Sequence, residues 1–190
     1  MVIMFNSNTP VQGALLISEP FMLDPNFERS VILLCEHNEE GTLGLVLNQP
    51  SNLILADLLE DMQDERFGLY FGGPVESNGL FFLHRAYDKL LSGTAIYEDI
   101  YWGGDFERLL LLINEGLVQP DEVKFFLGYS GWSPDQLDQE IEQNNWAVYR
   151  DFDSTLPFVH DGEDLWKRAL INLGPKYAHV ANFPKSPNLN

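Results

Sequence analysis

Gly128-Tyr129-Ser130-Gly131-Trp132 sets a serine between two glycines, after the apolar run 123–127 and before Ser133-Pro134-Asp135-Gln136. A strand, a sharp turn carrying serine and a helix start are the setting of a nucleophile elbow, which exposes a hydroxyl for acyl transfer. The elbow pattern wants glycine two residues after the serine, and Trp132 stands there. Asp153, Asp161, His160 and His179 follow in the chain order a triad would use, but in no recognisable setting. The preferred reading is structural: Gly128 and Gly131 permit a turn, Ser130 satisfies backbone groups and Trp132 packs inside. A small hydrolase using Ser130 is the alternative.

Glu36, His37 and His84 are metal-ligand types, yet neighbours on a strand point to opposite faces, so Glu36 and His37 share an ion only where a strand ends. No Cys pair, His-x-x-x-His or His-Glu-x-x-His accompanies them, so neither metal nor cofactor is expected. A histidine at a hairpin end, bonded to its loop, is the simpler reading. Arg29 is the one Lys or Arg in residues 1–65, against eleven acids there. Its planar fork suits a carboxylate held across the fold, Asp24 or Glu28 being near in sequence, or an acidic group on a ligand. Gly72-Gly73-Pro74 offers backbone N–H groups to an anion but lacks the lysine and spacing of a phosphate loop; turn geometry accounts for it. The hairpin loop, this turn and the Ser130 loop are expected to converge. The resulting ligand-binding set is Arg29, Ser30, Glu36, His37, Asn38, Asn48, Gly72, Gly73, His84, Ser130 and Trp132, with no catalytic residue assigned.

The elements that must position these residues follow from hydrophobic patterning. Residues 12–18 and 30–36 read as strands, the second apolar at consecutive positions and so covered on both faces. A six-residue polar loop, 37–42, joins it to a strand through Leu43, Leu45 and Leu47, giving an antiparallel hairpin whose Gly41 suits a bulged turn. Ser51 or Asn52 caps a short helix carrying Leu55, Leu58, Leu59 and Met62. Strands are expected at 68–71, at 79–85 with Leu80, Phe82 and His84 on one face, and at 95–97. Asp105 opens a helix ended by Gly116. In the junction 122–143, a buried strand 123–127 leads to the tight loop 128–132. Ser133 then caps a helix with Pro134 in its first turn and Gln136 closing a capping box. Strand 146–149, helix 163–173 with its stop at Gly174-Pro175, and an irregular tail from Phe183 complete the chain. Early hairpins followed by interleaved helices and strands argue for an α+β or mixed-sheet fold, because a doubly wound parallel sheet needs helical crossovers from the start.

Composition narrows the function classes. A 190-residue chain that is 45% hydrophobic, with 13 Phe, 7 Tyr and 4 Trp, can build a large core and is not disordered. No repeat, low-complexity tract or linker divides it, so one domain over 1–190 is expected. No apolar run approaches the ~18 residues of a membrane span, and the first basic side chain is Arg29, so neither a membrane location nor a secretory leader is expected; the cytoplasm is. The single cysteine, Cys35, agrees with a reducing compartment and reads as a buried small hydrophobe beside Glu36. With 29 acids against 11 bases the formal net charge is −18, and residues 133–165 hold Arg150 alone against nine acids. Direct nucleic-acid binding is disfavoured, since it depends on Lys and Arg neutralising phosphates. Lys167-Arg168 is the one adjacent basic pair that a nucleic-acid-linked regulator would use. Acidity serves solubility, or the docking of a basic protein partner.

Four stretches together resemble the YqgE/AlgH family of small bacterial proteins. They are Gly13-Ala14-Leu15-Leu16-Ile17-Ser18 with Asp24-Pro25 and Arg29-Ser30; Glu36-His37-Asn38 through Gly44-Leu45-Val46-Leu47-Asn48-Gln49-Pro50; Phe71-Gly72-Gly73-Pro74-Val75 with Leu83-His84; and Gly128-Tyr129-Ser130-Gly131-Trp132. The helix 166–174 and the ending Pro187-Asn188-Leu189-Asn190 also fit, so the likeness covers nearly the whole chain. It implies an α+β fold whose bifurcated, mostly antiparallel sheet curls toward a pseudo-barrel with peripheral helices. It also implies a cytosolic protein with no established activity, carrying the label of transcriptional regulator. Where the family has Gly-Gln-Leu-Glu, this chain departs with Asp135-Gln136-Leu137-Asp138. Action by binding a protein or small ligand is therefore the expected function.

Overall fold

Leu15–Ser18 (β1) and the first five residues of Val31–Asn38 (β2) run almost unbroken in apolar side chains because both faces of the sheet are covered there. In the computed structural model, which describes residues 4–5, 8–160 and 163–184, side chains alternate between two cores. Leu15, Ile17, Val31, Leu33 and Cys35 face one core, with Trp166, Ala169 and Leu170 of the helix Glu163–Leu173. Leu16, Ile32 and Leu34 face the other, with Leu137, Trp146 and Val148. Each fully buried leucine or isoleucine here contributes about 1.5–3 kcal/mol, so the strand pair is sandwiched by the burial its sequence advertises. Trp166 is also tied polar-end first: its indole N–H donates to the Ser18 carbonyl at 3.0 Å.

Further strands are Gly41–Val46 (β3), Pro50–Ile54 (β4), Gly68–Phe71 (β5), Val75–His84 (β6), Thr94–Tyr97 (β7), Ile100–Trp102 (β8), Val123–Trp132 (β9) and Trp146–Tyr149 (β10). Helices are Leu55–Leu58 (α1), Tyr87–Leu90 (α2), Phe106–Asn114 (α3), Gln136–Glu142 (α4) and Glu163–Leu173 (α5). The strands form a 10-stranded sheet in the order β10-β1-β2-β3-β9-β6-β8-β7, with β4 and β5 branching from β9. All pairs are antiparallel except β5 with β9. The fold is α+β, as expected, and β9 is where it bifurcates: its first half pairs with β5 and β6, its last three residues with β3. The sheet curls without closing. Its two ends meet through Tyr97, whose hydroxyl donates to the Phe152 carbonyl at 2.9 Å and whose ring stacks on Phe152 at 4.2 Å.

Several expectations are corrected. Residues 128–132 are not a tight loop but the second half of a continuous ten-residue strand. Glycine there serves close backbone approach: a Cβ on Gly128 would meet the Gly73 carbonyl oxygen at 2.5 Å. The hairpin loop shrinks from six residues to Glu39-Glu40, because His37 and Thr42 pair across the strands and so do Asn38 and Gly41. Residues 50–54 are strand, and Ser51 caps nothing; its hydroxyl donates to the Leu69 carbonyl at 2.8 Å, while Asp57 accepts from the Ile54 N–H at the start of α1. α4 begins at Gln136, with Asp135 rather than Ser133 at its N-cap, although Gln136 does accept from the Ser133 N–H at 3.0 Å. Asp105 caps α3 as expected, accepting from the Arg108 N–H at 3.0 Å. α2, β4 and β8 carried no clear sequence signal. The ending 187–190 lies outside the described residues, as does Asp161.

Candidate functional site

The hairpin β2–β3 is fixed at its tip by its own polar residues. His37 Nδ1 and the Thr42 hydroxyl are 2.7 Å apart, and the Asn38 side-chain oxygen accepts from the Glu40 N–H at 2.8 Å. The tip is laid against the end of β9, where Thr42 pairs with Trp132 and Leu43 with Gly131. Gly41 permits this: its φ is +137°, and a Cβ would lie 2.5 Å from the Trp132 carbonyl oxygen. Between the tip and β9 lies an open groove of about 460 Å³, lined by Glu36, Asn38, Glu40, Tyr129, Trp132 and Pro134 among others. Strand alternation sends His37 to the other side, into a separate cleft of about 310 Å³ beside α4. Glu36 and His37 therefore do not share a site, and among the described residues no group of three or more His, Cys, Asp or Glu could hold a metal ion.

The predicted set divides. Glu36, Asn38 and Trp132 do converge on the groove. Arg29, Ser30 and Asn48 form an internal latch instead. The Asn48 side chain accepts from the Val31 N–H at 2.9 Å and donates to the Arg29 carbonyl at 2.8 Å; Ser30 is fully buried, its N–H donating to the Ser18 hydroxyl at 2.9 Å. Arg29 does not hold a carboxylate among the described residues. Its guanidinium lies over the Trp166 ring at 4.8 Å and donates to the Phe183 carbonyl at 2.6 Å, tying the C-terminal segment to the sheet. Nearby Asp24 is occupied with its own turn, accepting from the Asn26 N–H at 2.9 Å.

Ser130 lies near the end of β9, fully buried, and donates its hydroxyl to the Gly72 carbonyl at 3.1 Å. Gly72 and Gly73 let two chain segments touch: a Cβ on Gly72 would meet the Gly128 carbonyl oxygen at 2.3 Å, and one on Gly73 the Tyr129 carbonyl at the same distance. No histidine hydrogen-bonds Ser130. His84 is buried on β6, its ring against Phe82 and Tyr101, with Nε2–H donating to the Gly103 carbonyl at 3.1 Å. Burial holds its pKa below the usual imidazole value, outweighing the backbone carbonyls that favour the charged ring. Cys35 is equally enclosed, and burial, helped by Glu36, pushes its thiol well above the usual range.

Two polar features escaped the sequence reading. Lys124 is buried in β9; its ammonium donates to the carbonyls of Pro157 at 3.1 Å and Val159 at 2.7 Å and sits 4.0 Å from the centre of the Tyr70 ring. A lysine inside the apolar run 123–127 was the available signal. Glu140 on α4 accepts from the indole N–H groups of both Trp132 and Trp146, an arrangement no local pattern announces.

Fold and groove define a class: an α+β protein whose open, curled, mostly antiparallel sheet presents a polar groove where a hairpin tip meets its branching strand. More particularly, the chain belongs to the AlgH-like family, whose model matches residues 15–178. It is 44% identical to a UPF0301 protein of Cytophaga hutchinsonii over 94% of this chain and 98% of the relative. It is 41% identical to one from Parabacteroides distasonis over 97% and 94%. Among solved structures, the solution structure of AlgH from Pseudomonas aeruginosa matches at 30% identity with a TM-score of 0.71, covering 93% of this chain and 97% of that one. A crystal structure of a Corynebacterium diphtheriae protein shares the fold at 23% identity and the same TM-score, over 93% and 94%. No helix among the described residues is long and apolar enough to cross a membrane.

Proposed function

We propose that the protein works by binding a basic segment of a protein partner in the groove between the hairpin tip and β9, and regulates through that partner rather than by catalysis or duplex contact. The observation that carries this reading is the groove itself: exposed Glu36 and Glu40 rim a wall formed by Tyr129 and Trp132. The sequence makes this region acidic, and the inward turn of Arg29 removes the one base of residues 1–65 from the surface. Complementary charge then steers a basic partner and sets its register. The volume also falls in the range of small-ligand sites, so a small polar ligand is the second occupant the groove admits. The burial of Ser130 supports binding over acyl transfer.

The test is direct. Full-length chain captures partners from lysate, these are identified by mass spectrometry, and the purified partner is titrated against wild type and the double variant Glu36→Lys/Glu40→Lys. Binding is expected to weaken at least about tenfold in the variant and to fall with added salt. Unchanged affinity in the double variant would remove the reading, and tight, salt-sensitive binding to a DNA duplex would replace it.

A further inference from the structure

We infer that the basic segment bound in the groove is proline-rich and lies as a polyproline II helix along a strip of aromatic rings that crosses β9, β6 and β8. This step rests on reading the groove as a protein-binding surface. Strand pairing puts the strip on one face of the sheet: Leu43 stands opposite Gly131, Val75 opposite Tyr129, and Trp102 opposite Leu83, two residues along β6 from Phe81. Leu43, Tyr129, Phe81 and Trp102 pack on the same core, and all four are only partly buried. Leu43 and Tyr129 line the groove itself. From there the rings touch in order: Tyr129 meets Phe81 edge-on at 5.6 Å, and Phe81 stacks on Trp102 at 5.7 Å. Gly79 gives the middle ring its room, since a Cβ there would lie 2.8 Å from Phe81. Four adjacent strands at about 4.8 Å spacing make the strip about 14 Å long, which four or five residues of polyproline II cover at about 3.1 Å each.

Two donors on this strip are unspent. The indole N–H groups of Trp132 and Trp146 donate to Glu140 and that of Trp166 to the Ser18 carbonyl, whereas the Trp102 indole has no acceptor among the described residues. The Tyr129 hydroxyl has no partner among them either, and neither atom is enclosed. A polyproline II helix makes no internal hydrogen bonds, so its carbonyls are free to accept from such donors while its proline rings lie on aromatic faces. An α-helix spends its carbonyls on itself and would leave both donors unmatched. An added β-strand finds no edge here, because β9 and β6 are each paired on both sides. Charge orients the segment. Glu36 and Glu40 are exposed at the hairpin end of the strip and form no ion pair among the described residues, and no Lys or Arg lines the groove. A basic residue at one end of the proline run therefore sits by the hairpin tip while the prolines cross toward Trp102.

The experiment is an NMR titration of the isotope-labelled full chain with a peptide of about twelve residues, two arginines followed by a repeated Pro-Pro-Leu, long enough to span the strip. One comparator has alanine in place of every proline, and another has glutamine in place of both arginines. The Trp102 indole N–H signal is expected to move, while those of Trp146 and Trp166, enclosed in the fold, stay. The proline peptide should bind at least about tenfold tighter than the alanine one, and its advantage over the glutamine one should shrink with added salt. Trp102→Phe and Tyr129→Phe each remove a donor that the fold does not use, so the fold persists, and each should weaken the proline peptide about three- to tenfold, the loss of one hydrogen bond. Equal binding of the alanine peptide, a silent Trp102 indole or full affinity in both Phe variants would each overturn the assignment. If Glu36→Lys/Glu40→Lys abolishes partner capture while the alanine peptide matches the proline one, the groove stands and the proline reading falls. If the proline peptide binds through Trp102 but capture survives those charge reversals, the basic-partner reading is the one that fails.

Discussion

Replacing Asn48 by alanine separates a structural polar residue from a binding one, because Asn48 belongs to the predicted ligand set yet is 8% exposed. Its amide bridges two backbone groups that no strand partner reaches where β2 begins: it accepts from the Val31 N–H at 2.9 Å and donates to the Arg29 carbonyl at 2.8 Å. Alanine leaves both without a partner in the interior. Each orphaned buried group costs about 1–3 kcal/mol, and partial access of water makes the lower half of that range the better guide, so the loss is about 2–4 kcal/mol. In a chain of this size each kcal/mol lowers Tm by about 2–4 °C, which puts the expected drop at about 4–16 °C. Thermal unfolding followed by circular dichroism reads it. Asn48→Asp keeps the acceptor for Val31 but sets a negative charge against the Arg29 carbonyl, and should be no more stable than the alanine variant. Partner affinity, measured well below either Tm, should stay within about twofold of wild type. A Tm within about 2 °C of the parent, together with loss of partner binding, would refute the latch and return Asn48 to the ligand set.

Asp135→Gly is expected to stabilise: Asp135 sits at φ +62° with no side-chain capping bond, and relief of about 1 kcal/mol of left-handed strain exceeds the added freedom of the unfolded chain, for a net gain of roughly 0.5 kcal/mol and 1–2 °C in Tm. Cys35 should react with iodoacetamide at least about a hundredfold more slowly in the native protein than in urea, since it is buried and its thiol is held protonated; rapid native labelling would contradict this. His84 has a folded-state pKa below its usual value of 6.5, so between those two values the unfolded chain binds more protons. Its contribution to stability is therefore full above about pH 6.5 and is lost as pH falls toward the lower, folded-state value. The urea midpoint should rise as pH is raised toward about 6.5 and level off above it, and His84→Gln should flatten that rise.

The parts of the fold legible in the sequence were those where one local pattern decides. The unbroken apolar run at 31–35 required two covered faces, and α5 and α4 provide them. Asp105 and Gly116 bracketed α3 because capping chemistry is local. Glycine misled at 128–132, where local propensity says turn but the constraint is long-range: β9 has backbone from the 72–73 segment pressed against it at Gly128, where only a residue without a Cβ fits. The site was legible in the same uneven way. Glu36 and Asn38 follow from hairpin alternation, whereas the Glu140 clamp joins residues of β9, α4 and β10 that become neighbours only when the sheet forms.

That clamp also bears on why the serine-centred motif looks catalytic and is built otherwise. A strand with three partners needs small residues on the side where two segments crowd it, and Gly128 and Ser130 supply them. The Ser130 hydroxyl then gives the Gly72 carbonyl a second hydrogen bond beside that from the Val46 N–H, at 3.1 and 2.9 Å. A hydroxyl so held is unavailable as a nucleophile without opening the β3–β9 junction, and opening it would dismantle the groove that β9 and the hairpin tip form together. Catalysis at Ser130 and binding at the groove are thus mutually exclusive uses of one strand end. A fluorophosphonate probe can choose between them: absence of labelling at Ser130 in the folded chain is expected, and stoichiometric labelling with the fold intact would overturn the binding reading at its structural root.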